Sequence, residues 1–365
     1  MGRVERVFFL HLIIYLAIFL LTVFLSLRIY LTLYWKKNYY RSSTDEPHDL
    51  SAIVIVPCRG IDHEMEANLR SLQEQDYGNF HLVAVIDFPD DPASSVLSGL
   101  KIETLITERY SSASSGKVMA ITTAIRKKKG YDIIVIADSD IMVPHYWLRE
   151  MIHPFLNSNV SAVSTYPRFQ ADGGFWAKVK EIWGYMGTTL MEFRPTRFIW
   201  GGSAAFRRSL LDDASLEYFA SAVSDDAAIT KICRDKRARI AYAPAASPRI
   251  KVSDDRRAFL AWAERQMAVS IVFDRNALFA AVGIYAGVIV YLAMITYLSI
   301  FYGYLYMLGL VPYVLNLLNS VIRTPKNALW IVPMSLFLPF VYLYNVIAGA
   351  RSHEIRWRGV SYKIR

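Results

Sequence analysis

The sequence predicts an α/β protein with a doubly wound sheet, held in a membrane by apolar segments near both ends. Between about residues 51 and 252, short apolar runs rich in β-branched residues alternate with stretches of helical spacing. This alternation is typical of parallel strands joined by crossover helices. Long stretches without formal charges lie before and after that region. Two carboxylates directly follow one of the runs, as Asp138-Ser139-Asp140.

Hydrophobic residues make up 54% of the 365-residue chain, and the apolar segments near both ends explain this high share. The first runs from Phe8 to Leu27, carries no formal charge and is long enough to cross a bilayer. No small-residue cleavage site follows it, so it predicts an uncleaved anchor. Three further segments, at about residues 277–300, 304–321 and 329–348, fit the C-terminal part.

The net charge is +9, and basic residues cluster beside the membrane segments rather than in one patch. This placement argues against a nucleic-acid partner, and the positive-inside rule puts both clusters in the cytosol. One anchor followed by three crossings, however, would separate the basic C-terminus from the middle region. A late segment that lies in the membrane interface resolves the conflict; a charge bias that departs from the rule is the other solution.

Within the middle region, apolar runs predict strands at about residues 52–56, 80–86, 102–106 and 133–137. Helical spacing predicts helices at 64–75 and 117–128. Cys58 and Cys233 lie far apart and lack metal-ligand spacing, which indicates a reducing compartment without a disulfide framework.

A further helix is predicted at residues 257–273, before the C-terminal apolar segments. Its apolar residues, among them Phe259, Trp262 and Met267, alternate with charged and polar ones. This pattern favours an amphipathic helix in the membrane interface. A core helix of the middle domain is the alternative.

The carboxylates of the middle region follow a pattern. Asp87 ends the second predicted strand, Asp138 and Asp140 follow a later one, and Asp225-Asp226 opens a helical stretch. Two carboxylates one residue apart at a strand's C-terminal end point into the crevice where α/β sheets bind ligands. Because they repel each other, a divalent cation shared with substrate phosphates would stabilise them. A solvated loop that caps the next helix is the alternative for this pair alone.

A small-residue loop, Ser114-Ser115-Gly116-Lys117, lies between these groups and enters a helix. Such a loop can approach a phosphate and supply a positive charge, although the P-loop spacing is absent. Together, the carboxylates and the loop with Lys117 suit an enzyme that transfers a group from a nucleotide-linked donor. A metal would offset the charge of the leaving diphosphate, and a carboxylate would deprotonate the incoming hydroxyl.

Ordered motifs give the chain a resemblance to a known family. They are Val56-Pro57-Cys58-Arg59-Gly60-Ile61-Asp62, Asn68-Leu69, Gln75-Asp76-Tyr77, Asp90-Asp91-Pro92-Ala93, Gly116-Lys117, Asp138-Ser139-Asp140, Gly201-Gly202-Ser203 and Asp225-Asp226. In this order they resemble the inverting, family 2-type glycosyltransferases of the GT-A fold, and most of all the ceramide glucosyltransferase branch. The segment from Arg356 to Tyr362 is similar to a Trp-Arg-Gly-Arg-x-Tyr tail of related bacterial membrane enzymes. The resemblance covers nearly the whole chain and implies a Rossmann-like mixed sheet.

The resemblance also implies roles for the matching positions. The nucleotide sugar would be bound by Pro57, Arg59, Asp87, Lys117 and Asp138. Asp140, with Asp138, would hold Mg²⁺ or Mn²⁺ against the diphosphate. Asp226 would be the base that activates the acceptor hydroxyl. The family usually has Glu-Asp there, so Asp225 replaces the Glu and is the alternative base.

On the acceptor side, Gly201, Gly202 and Ser203 would lie under the acceptor or sugar, where absent side chains let a substrate approach the backbone. The family carries Gln/Arg-x-x-Arg-Trp on the interfacial helix. Here Trp262 matches, but Ala258 and Ala261 occupy both polar positions. Arg265 and Gln266 lie one helical turn beyond Trp262 and are predicted to replace the motif, with Arg256 and Arg257 as rivals.

The predicted domains are an N-terminal anchor (1–40), a GT-A domain (41–255), an interfacial helix (256–275), a C-terminal transmembrane block (276–350) and a basic juxtamembrane tail (351–365). The predicted activity is inverting, metal-dependent transfer of a hexose from a UDP-sugar, or another nucleotide sugar, to a membrane lipid hydroxyl. The protein would be an integral, multi-pass membrane enzyme whose catalytic domain faces the cytosol. The alternatives are transfer to a polyprenyl phosphate, a processive polysaccharide synthase, and a membrane scaffold with a degenerate transferase domain.

Overall fold

The computed structural model describes residues 3–38, 49–111, 114–273, 275–357 and 360–363. The chain divides into two compact units. The helical unit comprises Met1–Arg41 and Asp274–Arg351, and the α/β unit comprises Ser42–Phe273 and Ser352–Arg365. The residues predicted as a juxtamembrane tail therefore belong to the α/β unit.

The helices are α1 (Arg3–Asn38), α2 (Met65–Gln73), α3 (Ala93–Gly99), α4 (Gly116–Lys127), α5 (Trp147–Ile152), α6 (Phe175–Trp183), α7 (Tyr185–Glu192), α8 (Asp213–Ala220), α9 (Asp225–Asp235), α10 (Arg256–Phe273), α11 (Arg275–Phe301), α12 (Leu310–Arg323) and α13 (Ala328–Arg351). The strands are β1 (Ala52–Cys58), β2 (Phe80–Ile86), β3 (Glu103–Ile106), β4 (Ile133–Ala137), β5 (Val160–Ser164), β6 (Arg168–Ala171), β7 (Ser203–Arg207), β8 (Arg239–Tyr242), β9 (Arg249–Val252), β10 (Glu354–Trp357) and β11 (Val360–Lys363).

A sheet of seven described strands forms the centre of the α/β unit, in the order β3-β2-β1-β4-β7-β5-β8. Strands β1 to β4 are parallel to one another, whereas β7 is antiparallel to both of its neighbours, β4 and β5. The sheet is therefore mixed, which confirms the fold that the resemblance implied. The wholly parallel sheet predicted from the apolar runs alone is wrong at β7. Two short pairs, β6 with β9 and β10 with β11, lie outside this sheet.

The predicted strands and helices of the first half are confirmed. Strands β1 and β4 are almost wholly buried, whereas the edge strand β3 leaves Glu103 and Ile106 exposed. In β1, Val54 and Val56 pack in one core layer, and Ile53 and Ile55 pack in the other. All four are completely buried. Each such side chain contributes about 1.5–3 kcal/mol by leaving water. The burial of these strands determines where each of them ends, and the polar residues of the site follow at those ends.

Helix α10 is part of the α/β unit. Its residues Phe259, Ala263 and Ala268 are buried, and the helix packs against α6 and α9. One face of α10 therefore packs in the core, which agrees with the alternative prediction of a core helix for this segment. Contact of α10 with the membrane interface stays a prediction.

Four helices among the described residues are long and apolar enough to cross a membrane: His11–Tyr34, Leu278–Phe301, Tyr304–Arg323 and Pro325–Arg351. They coincide with the four predicted apolar segments. Within the helical unit, α1 packs against α12 and α11 packs against α13. Large apolar side chains remain exposed along these helices, which suits a surface surrounded by lipid. These features are those of an integral membrane protein.

Candidate active site

Several segments bring polar residues to one edge of the central sheet. Strands β1, β2 and β4 are adjacent and parallel, so Arg59, Asp87 and Asp138, which follow them, share this edge. Strand β7 runs the opposite way and pairs its first residue, Ser203, with the last residue of β4. The backbone N–H of Asp138 donates to the carbonyl oxygen of Gly202 at 3.0 Å. The turn before β7 is thereby fixed beside the end of β4.

A cavity of about 90 Å³ opens at this edge. Its lining consists of Pro57, Cys58, Arg59, Asp87, Gly116, Lys117, Ala120, Asp138, Ser139 and Asp140. This set contains every residue predicted to bind the nucleotide sugar, together with the predicted metal ligand Asp140. A larger cavity of about 800 Å³ also reaches Asp140.

The first ion pair of the site joins Arg59 and Asp87. Their closest atoms, Nη1 and Oδ2, are 3.5 Å apart. A side-chain carbon placed on Gly116 would lie 3.8 Å from Asp87 Oδ2 and 4.0 Å from Arg59 Nη1. The backbone at the start of α4 therefore approaches this pair closely.

Lys117 links the central carboxylates. Its Nζ lies 2.7 Å from Asp138 Oδ1 and 3.1 Å from Asp225 Oδ2, and it donates to the Gly201 carbonyl oxygen at 3.3 Å. Its side chain is only 9% exposed. Burial on its own would lower the pKa of Lys117, but Asp138 and Asp225 outweigh burial and hold that pKa above its ordinary value. Lys117 is thus a permanent cation inside the site.

The loop after β4 is held in place by its middle residue. Ser139 is buried; its hydroxyl donates to Asp62 Oδ2 at 2.5 Å, and its carbonyl accepts from Asn68 Nδ2 at 3.2 Å. Asp140 is exposed and borders both cavities. This loop is therefore tied to α2 and to the segment that follows β1, and the metal role of its two carboxylates stays a prediction.

The two carboxylates of this loop suit a divalent cation. Among the described residues, no three His, Cys, Asp or Glu side chains cluster closely enough to enclose a metal ion. An ion at Asp140, with or without Asp138, would therefore complete its shell with substrate and water oxygens. Mg²⁺ is commonly bound in this way, through one or two carboxylates and phosphates. The donor set fits such an ion.

The acidic pair Asp225-Asp226 opens helix α9, where the helix dipole favours negative charge. Asp225 is buried and faces Lys117, whereas Asp226 is half-buried. Asp226 accepts hydrogen bonds from the Ser224 hydroxyl and, at 2.7 Å, from the Ala227 N–H. Burial, reinforced by the charge of Asp225, raises the pKa of Asp226 to about 6. The two neighbouring carboxylates thus differ in environment.

The turn before β7 is shaped by packing. Gly201 and Gly202 are buried, and a side-chain carbon on them would clash with the Asp225 carboxylate and the Trp200 ring respectively. Ser203 is completely buried, and its hydroxyl accepts from Trp147 Nε1 at 2.9 Å. The Ser203 side chain therefore lies in the core, and the placement of this turn under the acceptor or sugar stays a prediction. The packing of neighbouring side chains therefore requires glycine at both positions.

Trp262 lies in an aromatic cluster on the side of the unit formed by α6 and α10. Its ring centroid is 4.9 Å from that of Trp183 and 5.4 Å from that of Phe169. The Nζ of Lys180 lies 4.5 Å from the Trp262 centroid and 2.9 Å from Asp254 Oδ1. Burial lowers the pKa of Lys180, although Asp254 opposes this effect. The Trp262 ring therefore makes a cation–π contact with the buried ammonium group of Lys180.

The two polar residues predicted to replace the missing motif lie beside this cluster. Arg265 and Gln266 are half-buried on α10. Burial lowers the pKa of Arg265, and the charge of Arg265 is among the influences that lower the pKa of Lys180. The site therefore has a second cationic region, with Asp140 close enough to oppose the lowering at Lys180.

The sequence model of one family, described as glycosyl transferase family 21, matches residues 17–365 of the chain. The chain belongs to this family. It is therefore a glycosyltransferase, as the resemblance to the ceramide glucosyltransferase branch predicted, and the scaffold alternative is set aside.

Solved structures with the fold of this glycosyltransferase include a mannosyltransferase from Pyrobaculum calidifontis in complex with GDP-Man and Mn²⁺. It is 20% identical, with a TM-score of 0.52 over 92% of this chain and 94% of that chain. A glucosyl-3-phosphoglycerate synthase from Mycobacterium tuberculosis, in complex with Mn²⁺, uridine diphosphate and phosphoglyceric acid, is 17% identical. Its TM-score is 0.39, over 57% of this chain and 72% of that chain.

Two residues of the transferase escaped the sequence analysis. Lys180 is one, although α6 offered a signal: Lys180 shares a helix face with the buried Ala177 and Trp183. Tyr362 is the other. It lies in the tail motif that the resemblance singled out, but no role was assigned to it. Its hydroxyl accepts a hydrogen bond from the Gly116 N–H.

Proposed function

We propose that this transferase moves a hexose from a UDP-sugar to a hydroxyl group of a membrane lipid, with inversion at the anomeric carbon. The observation that carries the proposal is the set of charges around Lys117, at an edge of the sheet where α/β folds bind ligands. Membership of family 21 supports sugar transfer, and the four apolar helices support a substrate that stays in the membrane.

The donor would occupy the cavity between the ends of β1, β2 and β4. Asp87, which is mostly buried, can accept a hydrogen bond from the imide N–H of uracil, and the Arg59 guanidinium beside it can donate to a phosphate or ribose oxygen. Lys117 pairs with Asp138 at 2.7 Å and holds that carboxylate in place. The start of α4 supplies backbone N–H groups towards negative charge.

Asp140, with Asp138, would hold Mg²⁺ or Mn²⁺. When bound, the ion would offset the charge that develops on the leaving diphosphate. The protein's own part is to keep this loop rigid through Ser139, so that both carboxylates are positioned before the donor arrives.

Asp226 would act as the base. The acceptor oxygen forms a bond to the anomeric carbon as the bond to the diphosphate oxygen breaks, and Asp226 takes the hydroxyl proton. A carboxylate whose pKa is raised to about 6 binds a proton more strongly than an ordinary one, yet is mostly ionised at pH 7. Asp225 is the weaker candidate, because it is buried and engaged by Lys117.

The C-terminal tail bears on the number of membrane crossings. Ser352–Arg365 belongs to the same compact unit as Ser42–Phe273. Both must then lie on one side of the membrane, so the chain between them crosses an even number of times. Three candidate spans lie there. The candidate span Tyr304–Arg323 is the one that would stay in the interface, because its first six residues form a separate 3-10 segment. The regular helix α12 that follows has 14 residues and extends only about 21 Å, short of a hydrocarbon core of about 30 Å.

Labelling with a membrane-impermeant maleimide tests this topology. Lys129→Cys in the α/β unit and Lys363→Cys in the tail, both at exposed positions, would be introduced into a variant without the two native cysteines. Both positions should react from the same side, in inverted but not right-side-out vesicles if the unit is cytosolic. Reaction from opposite sides would contradict the even number of crossings.

The function itself is tested with radiolabelled nucleotide sugars and a membrane lipid extract, the labelled product being identified by mass. A single hexose on a hydroxyl-bearing lipid is expected; a long chain would indicate a processive synthase. Asp226→Asn should abolish turnover. Near-normal turnover of that variant would indicate an acceptor that is already anionic, such as a polyprenyl phosphate, which needs no base.

A further inference from the structure

The hairpin of β10 and β11 docks on the α/β unit by one face. Strand β10 contacts α10, and the two strands pair in antiparallel register. Val360 and Tyr362 are half-buried, whereas Ser361 and Lys363 are exposed. Because side chains alternate along a strand, the face with Val360 and Tyr362 is turned towards the unit. The hairpin after the last apolar helix therefore has a defined position on the α/β unit.

The Tyr362 hydroxyl contacts a residue that lines the donor cavity. It accepts a hydrogen bond from the Gly116 N–H at 3.4 Å, and Gly116 lines that cavity beside Asp87. Gly116 is the first residue of α4, so its N–H has no acceptor within the helix. The capping residue Ser115 accepts from Val118 N instead. Tyr362 thus satisfies a backbone donor inside the candidate donor site.

This hydrogen bond is one that a substrate oxygen can replace. At 3.4 Å it is longer than the usual 2.9–3.0 Å, so exchanging the phenol for another acceptor costs little. The start of a 12-residue helix favours an acceptor with negative charge over a neutral phenol. A phosphate or ribose oxygen of a nucleotide is therefore a better partner for Gly116 than Tyr362 is.

We infer that Tyr362 is a donor-binding residue supplied by the C-terminal hairpin. When a nucleoside diphosphate binds, one of its oxygens takes the Gly116 N–H, and the Tyr362 ring packs against the nucleoside. The hairpin forms one wall of the donor pocket. This inference rests on the proposed function, since it needs a nucleotide in the cavity lined by Asp87 and Gly116.

The test compares three variants of the full-length enzyme in detergent, with UDP and Mn²⁺ as the probe in isothermal titration. Tyr362→Ala should raise the Kd for UDP, and the KM for the donor, by about tenfold, the scale of a lost ring–base contact, while kcat changes little. Tyr362→Phe keeps the ring and should bind within about threefold of wild type, because the donor displaces the hydroxyl in any case. Ser361→Ala, on the exposed face, should behave as wild type.

Hydrogen exchange supplies a second readout: UDP should slow exchange of the backbone amides in residues 354–363. Wild-type UDP affinity in Tyr362→Ala, or exchange in the hairpin that UDP leaves unchanged, would overturn the inference. A fall in kcat and melting temperature at unchanged KM would assign Tyr362 to capping α4 and overturn it too. If wild-type enzyme binds neither UDP nor GDP with Mn²⁺, the proposed function fails, and this inference falls with it.

Discussion

Replacing Lys117 by methionine perturbs the charge arrangement of the site at its centre. Methionine retains most of the apolar volume but removes the ammonium group that lies 2.7 Å from Asp138 and 3.1 Å from Asp225. Asp225 is only 6% exposed, so water cannot replace the lost partner. The variant therefore leaves a carboxylate inside the protein without its cation.

The size of the effect follows from burial. Removing one partner of a buried ion pair destabilises a protein by about 3–5 kcal/mol. The Asp138 side chain is 32% exposed, so water recovers part of its solvation, and Asp225 sets most of the loss. At about 2–4 °C per kcal/mol for a unit of this size, Lys117→Met should lower the melting temperature by about 6–20 °C.

Thermal unfolding of the purified protein in detergent, followed by tryptophan fluorescence, measures this. Lys127→Met is the matched control, because the Lys127 side chain is 39% exposed where it pairs with Glu108, and an exposed ion pair contributes little to stability. Adding Asp225→Asn to Lys117→Met should restore part of the loss, since it removes the buried charge. Equal melting temperatures for the two lysine variants, or no recovery in the double variant, would refute the reasoning.

The remaining predictions concern the base and the glycine near it. If Asp226 accepts the proton, kcat/KM should fall about tenfold per pH unit below pH 6, because the protonated acid cannot act as a base. Initial rates across this pH range measure the fall. A flat profile down to about pH 5 would exclude Asp226 as the base. Gly201→Ala would place a carbon 2.9 Å from Asp225 Cγ and should cost about 1–3 kcal/mol of stability and most of the activity. Gly78→Ala, where nothing lies within 4 Å, is the control for both melting and turnover, and similar behaviour of the two variants would contradict the clash.

The sequence could predict the elements that carry the donor side of the site, because each is specified locally. The run Ile133–Ala137 is apolar throughout and completely buried, so its position and the carboxylates after it follow from the residues themselves. The start of α4 is likewise local, since Ser115 caps the helix and Gly116 begins it. Carboxyl ends of adjacent parallel strands share an edge, and this alone brings Arg59, Asp87 and Asp138 together.

Contacts between distant segments could not be predicted in this way. The partner of Lys117 in α9, Asp225, lies 108 residues further along the chain, and nothing in either segment specifies the other. The hydroxyl of Ser203 is buried against Trp147, 56 residues earlier, whereas the glycines before it suggested an open substrate surface. Strand β7 is short and follows two glycines, so its antiparallel direction depends on where the chain returns to the sheet.

Charge balance in the site leads to the last prediction, which concerns the metal. Around the donor edge and the start of α9 the described residues include five carboxylates, at positions 87, 138, 140, 225 and 226, and two cations, Arg59 and Lys117. The second cationic region adds Lys180 and Arg265 but also Asp254, so carboxylates stay in excess. Lys117 lies against Asp138 and Asp225, and Arg59 lies against Asp87. A diphosphate brought to this edge would add negative charge to a site that already has an excess of it, so we expect a divalent cation to accompany it.

Chelation of the metal by EDTA should therefore weaken UDP binding by about 100-fold, a coupling between two ligands of the usual order, and added Mn²⁺ or Mg²⁺ should restore it. Asp140→Asn should raise the metal concentration needed for half-maximal UDP binding. Glu66→Gln, at an exposed residue that lines the larger cavity but not the donor cavity, should not. UDP affinity that EDTA leaves unchanged would mean that Arg59, Lys117 and the start of α4 suffice for the diphosphate, and that the acidic excess does not control donor binding.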